Sequence, residues 1–202
     1  MPKRYFVTGI GTDVGKTLIS AILVEKLQAD YWKPIQAGNL SFTDSDYVQS
    51  LVSNDSTFFP ETYRLKLPMS PHAAANAENI SINLENINLP QTKNHLVIEG
   101  AGGILVPINK TETILDVIKK LDVEVVLVSR NYLGSINHTL LSYEILKAYN
   151  LKIKGIVFNG KSNPETEKII LSKTQLPLLL KVDQENEINQ IVVKKYAEKL
   201  QL

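Results

Sequence analysis

The chain has 202 residues, 44% of them hydrophobic and 21% charged, with a net charge of +1. That is the balance of one ordinary globular domain, with no electrostatic footprint for nucleic acid or an anionic membrane surface. It holds no cysteine, which excludes disulfides, thiolate metal sites, iron–sulfur clusters and cysteine nucleophiles. No apolar run reaches the ~18 residues of a membrane span, and the start MPKRYFVTG lacks the apolar stretch of a signal peptide, so a cytoplasmic protein is expected.

Taken in order, the apolar run over 4–8 predicts a strand. Residues 16–27 predict a helix whose Leu18, Ile19, Ile22, Leu23 and Leu27 form a broad apolar face. A short strand is expected over 31–33, stopped by Pro34, and a helix over 44–51. Residues 58–94 hold Pro60, Pro68, Pro71 and Pro90 and a tract rich in Asn and Ile. They read as a loop-rich insertion over the substrate face of a single domain spanning 1–202. Beyond it the pattern predicts strands over 95–99, 123–129, 153–158 and 178–182, and helices over 114–121, 137–149, 164–171 and 188–200. Such alternation predicts an α/β fold, a parallel sheet apolar on both sides with helices on both faces. Ligands of open sheets of this kind bind at the carboxyl ends of the strands.

Gly9-Ile10-Gly11-Thr12-Asp13-Val14-Gly15-Lys16-Thr17 follows a strand and opens a helix. Glycines let the backbone curl so that its N–H groups converge on phosphate oxygens, and the helix start adds partial positive charge. Lys16 would reach the β- and γ-phosphates of a nucleotide, and Thr17 would bind Mg²⁺. Five residues separate Gly9 from Gly15, one more than in the common Walker A pattern. The loop makes the expected fold a P-loop NTPase-type sheet. A carboxylate ending a neighbouring strand should hold the metal, and Glu99, followed by GAGG, meets that requirement. Asp46 in TDSDYVQSL is a second candidate; Asp44 stands beside it, and one of the two could cap the following helix. His72, His95 and His138 show no metal-ligand spacing.

The segments YFVTGIGTDVGKT, WKPIQAG, Ser45-Asp46, Ser70-Pro71-His72, VIEGAGG, LGSINHTLLS and Phe158-Asn159 run from residue 5 to about residue 160. In that order they make the chain resemble the dethiobiotin synthetases. The resemblance implies a P-loop α/β homodimer that converts 7,8-diaminononanoate, CO₂ and ATP, with Mg²⁺, to dethiobiotin, ADP and phosphate. It implies nucleotide contacts from Thr12, Asp13, Val14, Gly15, Lys16, Thr17, Asp46, Glu99, Gly100, Ala101 and Gly102, and an adenine contact from Asn159 with Gly160 beside it. Mg²⁺ would sit on Thr17, Asp46 and Glu99. Lys16 and Lys33 would be catalytic. Lys33, Ala37, Gly134, Ser135 and Asn137 would meet the substrate, the last three holding its carboxylate at a helix start. The chain departs from the usual family pattern at Ala37, where a small hydroxyl residue is common, at Gly160, where Asp is common, and over 177–183.

The implied chemistry makes sense for these residues. A substrate amine would capture CO₂ as a carbamate, an anion that needs cations, and Lys16 and Lys33 could supply them. The carbamate oxygen attacks the γ-phosphoryl group, and charge shifts onto phosphoryl oxygens. The second amine then attacks the carbonyl of the mixed anhydride, phosphate leaves, and a five-membered urea ring closes without loss of translational entropy. Two other readings share the phosphate loop. A cobyrinate-type amidoligase usually adds a glutaminase domain with a cysteine nucleophile, a residue this chain lacks. A partition- or septum-type ATPase switch carries an extra lysine early in the loop, where this chain has Ile10 and Gly11.

Overall fold

The computed structural model describes residues 2–202. The chain opens with β1 (Arg4–Gly9), α1 (Lys16–Leu27), β2 (Asp30–Trp32), β3 (Ile35–Ala37) and α2 (Asp44–Leu51). There follow β4 (Phe58–Phe59), β5 (Tyr63–Leu65), α3 (Pro71–Ala77), β6 (Leu96–Gly103), α4 (Ile114–Leu121), β7 (Glu124–Arg130) and α5 (Ser135–Ala148). The last elements are β8 (Ile153–Asn159), α6 (Pro164–Thr174), β9 (Leu178–Val182) and α7 (Gln190–Lys199).

Seven strands pair in parallel in the order β4-β2-β6-β1-β7-β8-β9. β1 stands in the middle. The chain fills one side of it with β2, β4 and β6, then crosses to the other with β7, β8 and β9. The order reverses at β1, so a crevice opens at the carboxyl ends of β1 and its neighbours. Alternate residues of β1, β6, β7 and β8 serve opposite cores. Tyr5 and Val7 pack with Ile19 and Ile22 of α1, Val48 of α2 and Tyr196 of α7. Phe6 packs on the other face with Leu96, Ile98, Ile114, Ile118 and Ile170. A sheet covered on both faces explains why its strands read as unbroken apolar runs.

Three departures from the expected elements have physical causes. The glycines after Glu99 continue β6 instead of ending it, because Gly103 pairs with Gly9 across a shift in register. α5 begins two residues earlier than the pattern suggested, with Gly134 at φ 99 as its N-cap. The 58–94 segment is more ordered than its prolines imply. Phe58 and Phe59 pair with Tyr31 and Trp32 as the edge of the main sheet, and β5 pairs with β3 in a second parallel ribbon. Strands of two or three residues are too short to display a period-two pattern.

Candidate active site

α1 starts without a side-chain cap: Gly15 occupies the N-cap in left-handed backbone, φ 97. An uncapped start leaves N–H groups for a ligand and concentrates partial positive charge there. Only glycine suits the position. A Cβ on Gly15 would lie 2.1 Å from Asn159 Nδ2. Lys16 follows, 7% exposed, and its ammonium donates to Gly11 O at 3.0 Å, folding back over the loop.

Beside the loop, three buried or half-buried groups meet on one carboxylate. Glu99 is 1% exposed at the end of apolar β6. Its Oε1 accepts hydrogen bonds from Thr17 Oγ1 and Lys33 Nζ, each at 2.9 Å, and its Oε2 accepts from Tyr31 OH at 2.9 Å. Lys33 Nζ also pairs with Asp44 Oδ2 at 2.5 Å. Burial alone would favour a neutral Lys33, but the charges of Glu99 and Asp44 and their hydrogen bonds outweigh it and raise its pKa above the ordinary lysine value. Burial also pushes Glu99 up; the Lys33 charge and hydrogen bond, then Lys16 and Tyr31, reverse this and hold it below the ordinary carboxylate value. Lys16 moves the other way, lowered chiefly by burial. A buried ion pair of this kind is worth little for stability by itself, but it fixes two opposite charges in place. Lys33 therefore stays an ammonium and acts as a fixed positive charge.

A cavity of about 720 Å³ opens over this cluster. Thr12, Asp13, Gly15, Lys16 and Thr17 form one side, Lys33, Asp44 and Glu99 the floor, and Ala37 with Ser70 and Pro71 the far side. Ala101 and Gly102 also line it. Val14 is buried in the core, and Gly100 packs against Phe6. Asn159 lies on the outer side of the loop, with Nδ2 donating to Val14 O at 2.9 Å and Gly160 following it. Gly134, Ser135 and Asn137 do not line the cavity. Ser135 is buried and its Oγ accepts the Tyr132 N–H at 3.3 Å; Gly134 and Asn137 are exposed.

The structure places the second candidate carboxylate, Asp46, away from the cavity. Asp46 is the third residue of α2, and its Oδ2 accepts from Thr43 N at 2.7 Å and Thr43 Oγ1 at 2.8 Å in a capping box. Those bonds fix it on the helix start, and it does not line the cavity. Asp44, at the first position of the same helix, is the carboxylate that faces Lys33 and the cavity. The signature was present in Thr43-x-x-Asp46, the spacing of a capping box. Tyr31 gave no such signal, because a tyrosine in an apolar strand reads as core until the neighbouring strand is known.

Two carboxylates and a hydroxyl converge here, all hard oxygen donors. That set fits Mg²⁺, which takes one or two carboxylates and fills its octahedron with phosphate oxygens and water. Among the described residues no group of three or more His, Cys, Asp or Glu side chains could form an all-protein metal cage.

A family model described as an AAA domain matches residues 3–192. The chain is 54% identical over 200 residues to the ATP-dependent dethiobiotin synthetase BioD of Christiangramia forsetii, covering 98% of this chain and 96% of that protein. It is 55% identical over 200 residues to the protein of the same name from Cytophaga hutchinsonii, covering 98% and 97%. Among solved structures it is similar to a ParA family ATPase from Chlorobium tepidum, with a TM-score of 0.60, 12% identity and 98% of each chain covered; at that identity the likeness speaks for the fold alone. By sequence over nearly its whole length, the chain belongs to the ATP-dependent dethiobiotin synthetase family.

Proposed function

We propose that the chain catalyses the ATP-dependent carboxylation and ring closure of 7,8-diaminononanoate to dethiobiotin. The observation that carries this reading is the placement of two ammonium groups, Lys16 and Lys33, in one cavity beside the phosphate loop. A phosphate site needs one; a carbamate next to a γ-phosphate needs the other.

In this reading the loop's N–H groups and Lys16 hold the nucleotide phosphates, with Lys16 turning from Gly11 O to the γ-phosphate. Thr17, Glu99 and Asp44 would hold Mg²⁺, which neutralises charge on the β- and γ-phosphates when bound. Lys33 holds the carbamate anion and orients its oxygen toward phosphorus. It cannot serve as a base while Glu99 and Asp44 keep it protonated, so its contribution is electrostatic. The carbamate oxygen displaces ADP, the second amine attacks the carbonyl, and phosphate carries that oxygen away as the urea ring closes. The wall of Ala37, Ser70 and Pro71 faces the region where the diamine would lie.

The reading includes a homodimer in the cytoplasm. Gly134, Ser135 and Asn137 are proposed to hold the substrate carboxylate, yet they do not line the cavity of their own chain. Leu133, Ile136 and Leu141 expose apolar side chains on the same stretch, an unpartnered face suited to a second copy. The start of the partner's α5 would then complete the site. Among the described residues no helix is long and apolar enough to cross a membrane.

The test is to incubate the purified protein with ATP, Mg²⁺, bicarbonate and 7,8-diaminononanoate, follow ADP, and weigh the product. A cyclic urea of the mass of dethiobiotin is expected, with ADP release requiring all four. ADP release that ignores the diamine would overturn the reading in favour of a nucleotide switch.

A further inference from the structure

Arg130 and Asn159 end neighbouring strands, β7 and β8, and are partners in register. Both side chains reach back to the phosphate loop and take consecutive carbonyls. Arg130 Nη1 donates to Asp13 O at 2.9 Å, and Asn159 Nδ2 donates to Val14 O at 2.9 Å. The backbone there is left-handed: Asp13, a non-glycine residue, has φ 56, and Gly15, which adopts such a conformation freely, has φ 97. Left-handed backbone on either side of Val14 belongs to the anion-nest type of turn, in which N–H groups face inward and carbonyls outward. Hydrogen bonds to those carbonyls help such a turn keep its shape.

Each side chain of the pair has its own track. Asn159 lies against Gly15, as the 2.1 Å distance to an added Cβ shows. Arg130 runs beside Gly160, where a Cβ would lie 3.5 Å from Nε. Arg130 does not line the cavity and is exposed. It therefore acts from outside, through the loop, and the core does not depend on it. Its charge strengthens the hydrogen bond to Asp13 O and adds positive potential beside a loop built for a polyanion.

We propose that Arg130 is a positioning residue of the phosphate loop, holding the Asp13 carbonyl outward, in tandem with Asn159, so that the loop's N–H groups face the nucleotide phosphates. The loop grips phosphate before and during the reaction alike, so the effect falls on nucleotide binding, with little on the chemical step. The inference rests on the loop being a nucleotide site and is independent of which acceptor receives the phosphoryl group.

The test compares Arg130→Met and Arg130→Lys with the native protein by calorimetric titration of ADP, by KM for ATP and for the diamine, and by thermal unfolding. Arg130→Met should weaken ADP binding and raise KM for ATP roughly tenfold, the size of one charge-assisted hydrogen bond. KM for the diamine and the unfolding temperature should hold. Arg130→Lys, which keeps a charged donor of similar reach, should recover most of the affinity. Unchanged ADP affinity in Arg130→Met would overturn the proposal. So would a fall in kcat at constant nucleotide affinity, or an unfolding temperature that drops together with affinity for both substrates. If the native protein binds ADP but turns over without the diamine, the family chemistry fails while the Arg130 result still stands or falls by itself.

Discussion

Lys33 and its two carboxylates show how much of the site rests on single side chains. A lysine 4% exposed would ordinarily lose its proton to escape desolvation, and Glu99 and Asp44 prevent this. Lys33→Met removes the charge while nearly preserving volume. It should abolish dethiobiotin formation while ADP still binds, as read by calorimetry and product mass. Asp44 and Asp46 make a sharper pair. Asp44→Asn should lower turnover on the order of 10²-fold or more, because it loosens both Lys33 and the proposed metal site. Asp46→Asn should leave turnover near the native value and cost under about 1 kcal/mol of stability, since Thr43 still caps the helix. Equal loss in both variants, measured by steady-state assay and thermal unfolding, would contradict these assignments. Lys16, Thr17 and Glu99 were legible as candidates because each stands at a fixed offset from a glycine turn, and Lys33 through the resemblance that WKPIQAG carries. The Asp44–Asp46 choice was legible only through capping chemistry, and the Tyr31 hydroxyl only through the neighbouring strand.

At the scale of elements, helix starts divide by use. α1 and α5 begin at left-handed glycines with no side-chain cap. α2 and α4 begin with capping boxes, in which Asp46 and Asp116 accept from Thr43 and Thr113. The capped starts serve the fold; the open start of α1 faces the cavity. Gly15→Ala would force a Cβ into Asn159 at a φ that alanine rarely adopts. It should remove detectable ADP binding in calorimetry and lower the unfolding temperature. The boxes carry a pH dependence. Hydrogen bonds from the Thr43 backbone and side chain hold Asp46 below the ordinary Asp value. Burial raises Asp116, but its bonds from Thr113 and Lys119 bring it below that value as well. A folded pKa below the unfolded one adds stability that is complete above the unfolded value, near ~4, and is lost as pH falls through the folded values. Asp46→Asn combined with Asp116→Asn should therefore flatten the acid side of the plot of unfolding temperature against pH below about 4; an unchanged slope would contradict it. The alternation of strands and helices was readable because long elements carry a period. β3, β4 and β5 were not, because pairings of two or three residues are decided by the surrounding sheet.

For the whole molecule, strand order decides function and no single segment encodes it. β6 lies beside β1, though α1, β2 and the whole 58–94 insertion separate them in sequence, and that adjacency brings Glu99 to Thr17. The sequence located both residues at strand ends without showing that those strands are neighbours. The proposed dimer belongs to this scale too. Mixing Lys33→Met with Asn137→Asp, each inactive alone, should restore activity if one chain's α5 start completes the other chain's cavity; no recovery, in a mixture shown to exchange subunits, would place the carboxylate site elsewhere. The central claim, that a carbamate oxygen held by Lys33 attacks the γ-phosphoryl group, is tested most directly by an isotope. In a single turnover with bicarbonate labelled with oxygen-18, the released inorganic phosphate should carry one labelled oxygen. Phosphate free of the label, with labelled dethiobiotin formed alongside, would contradict the account.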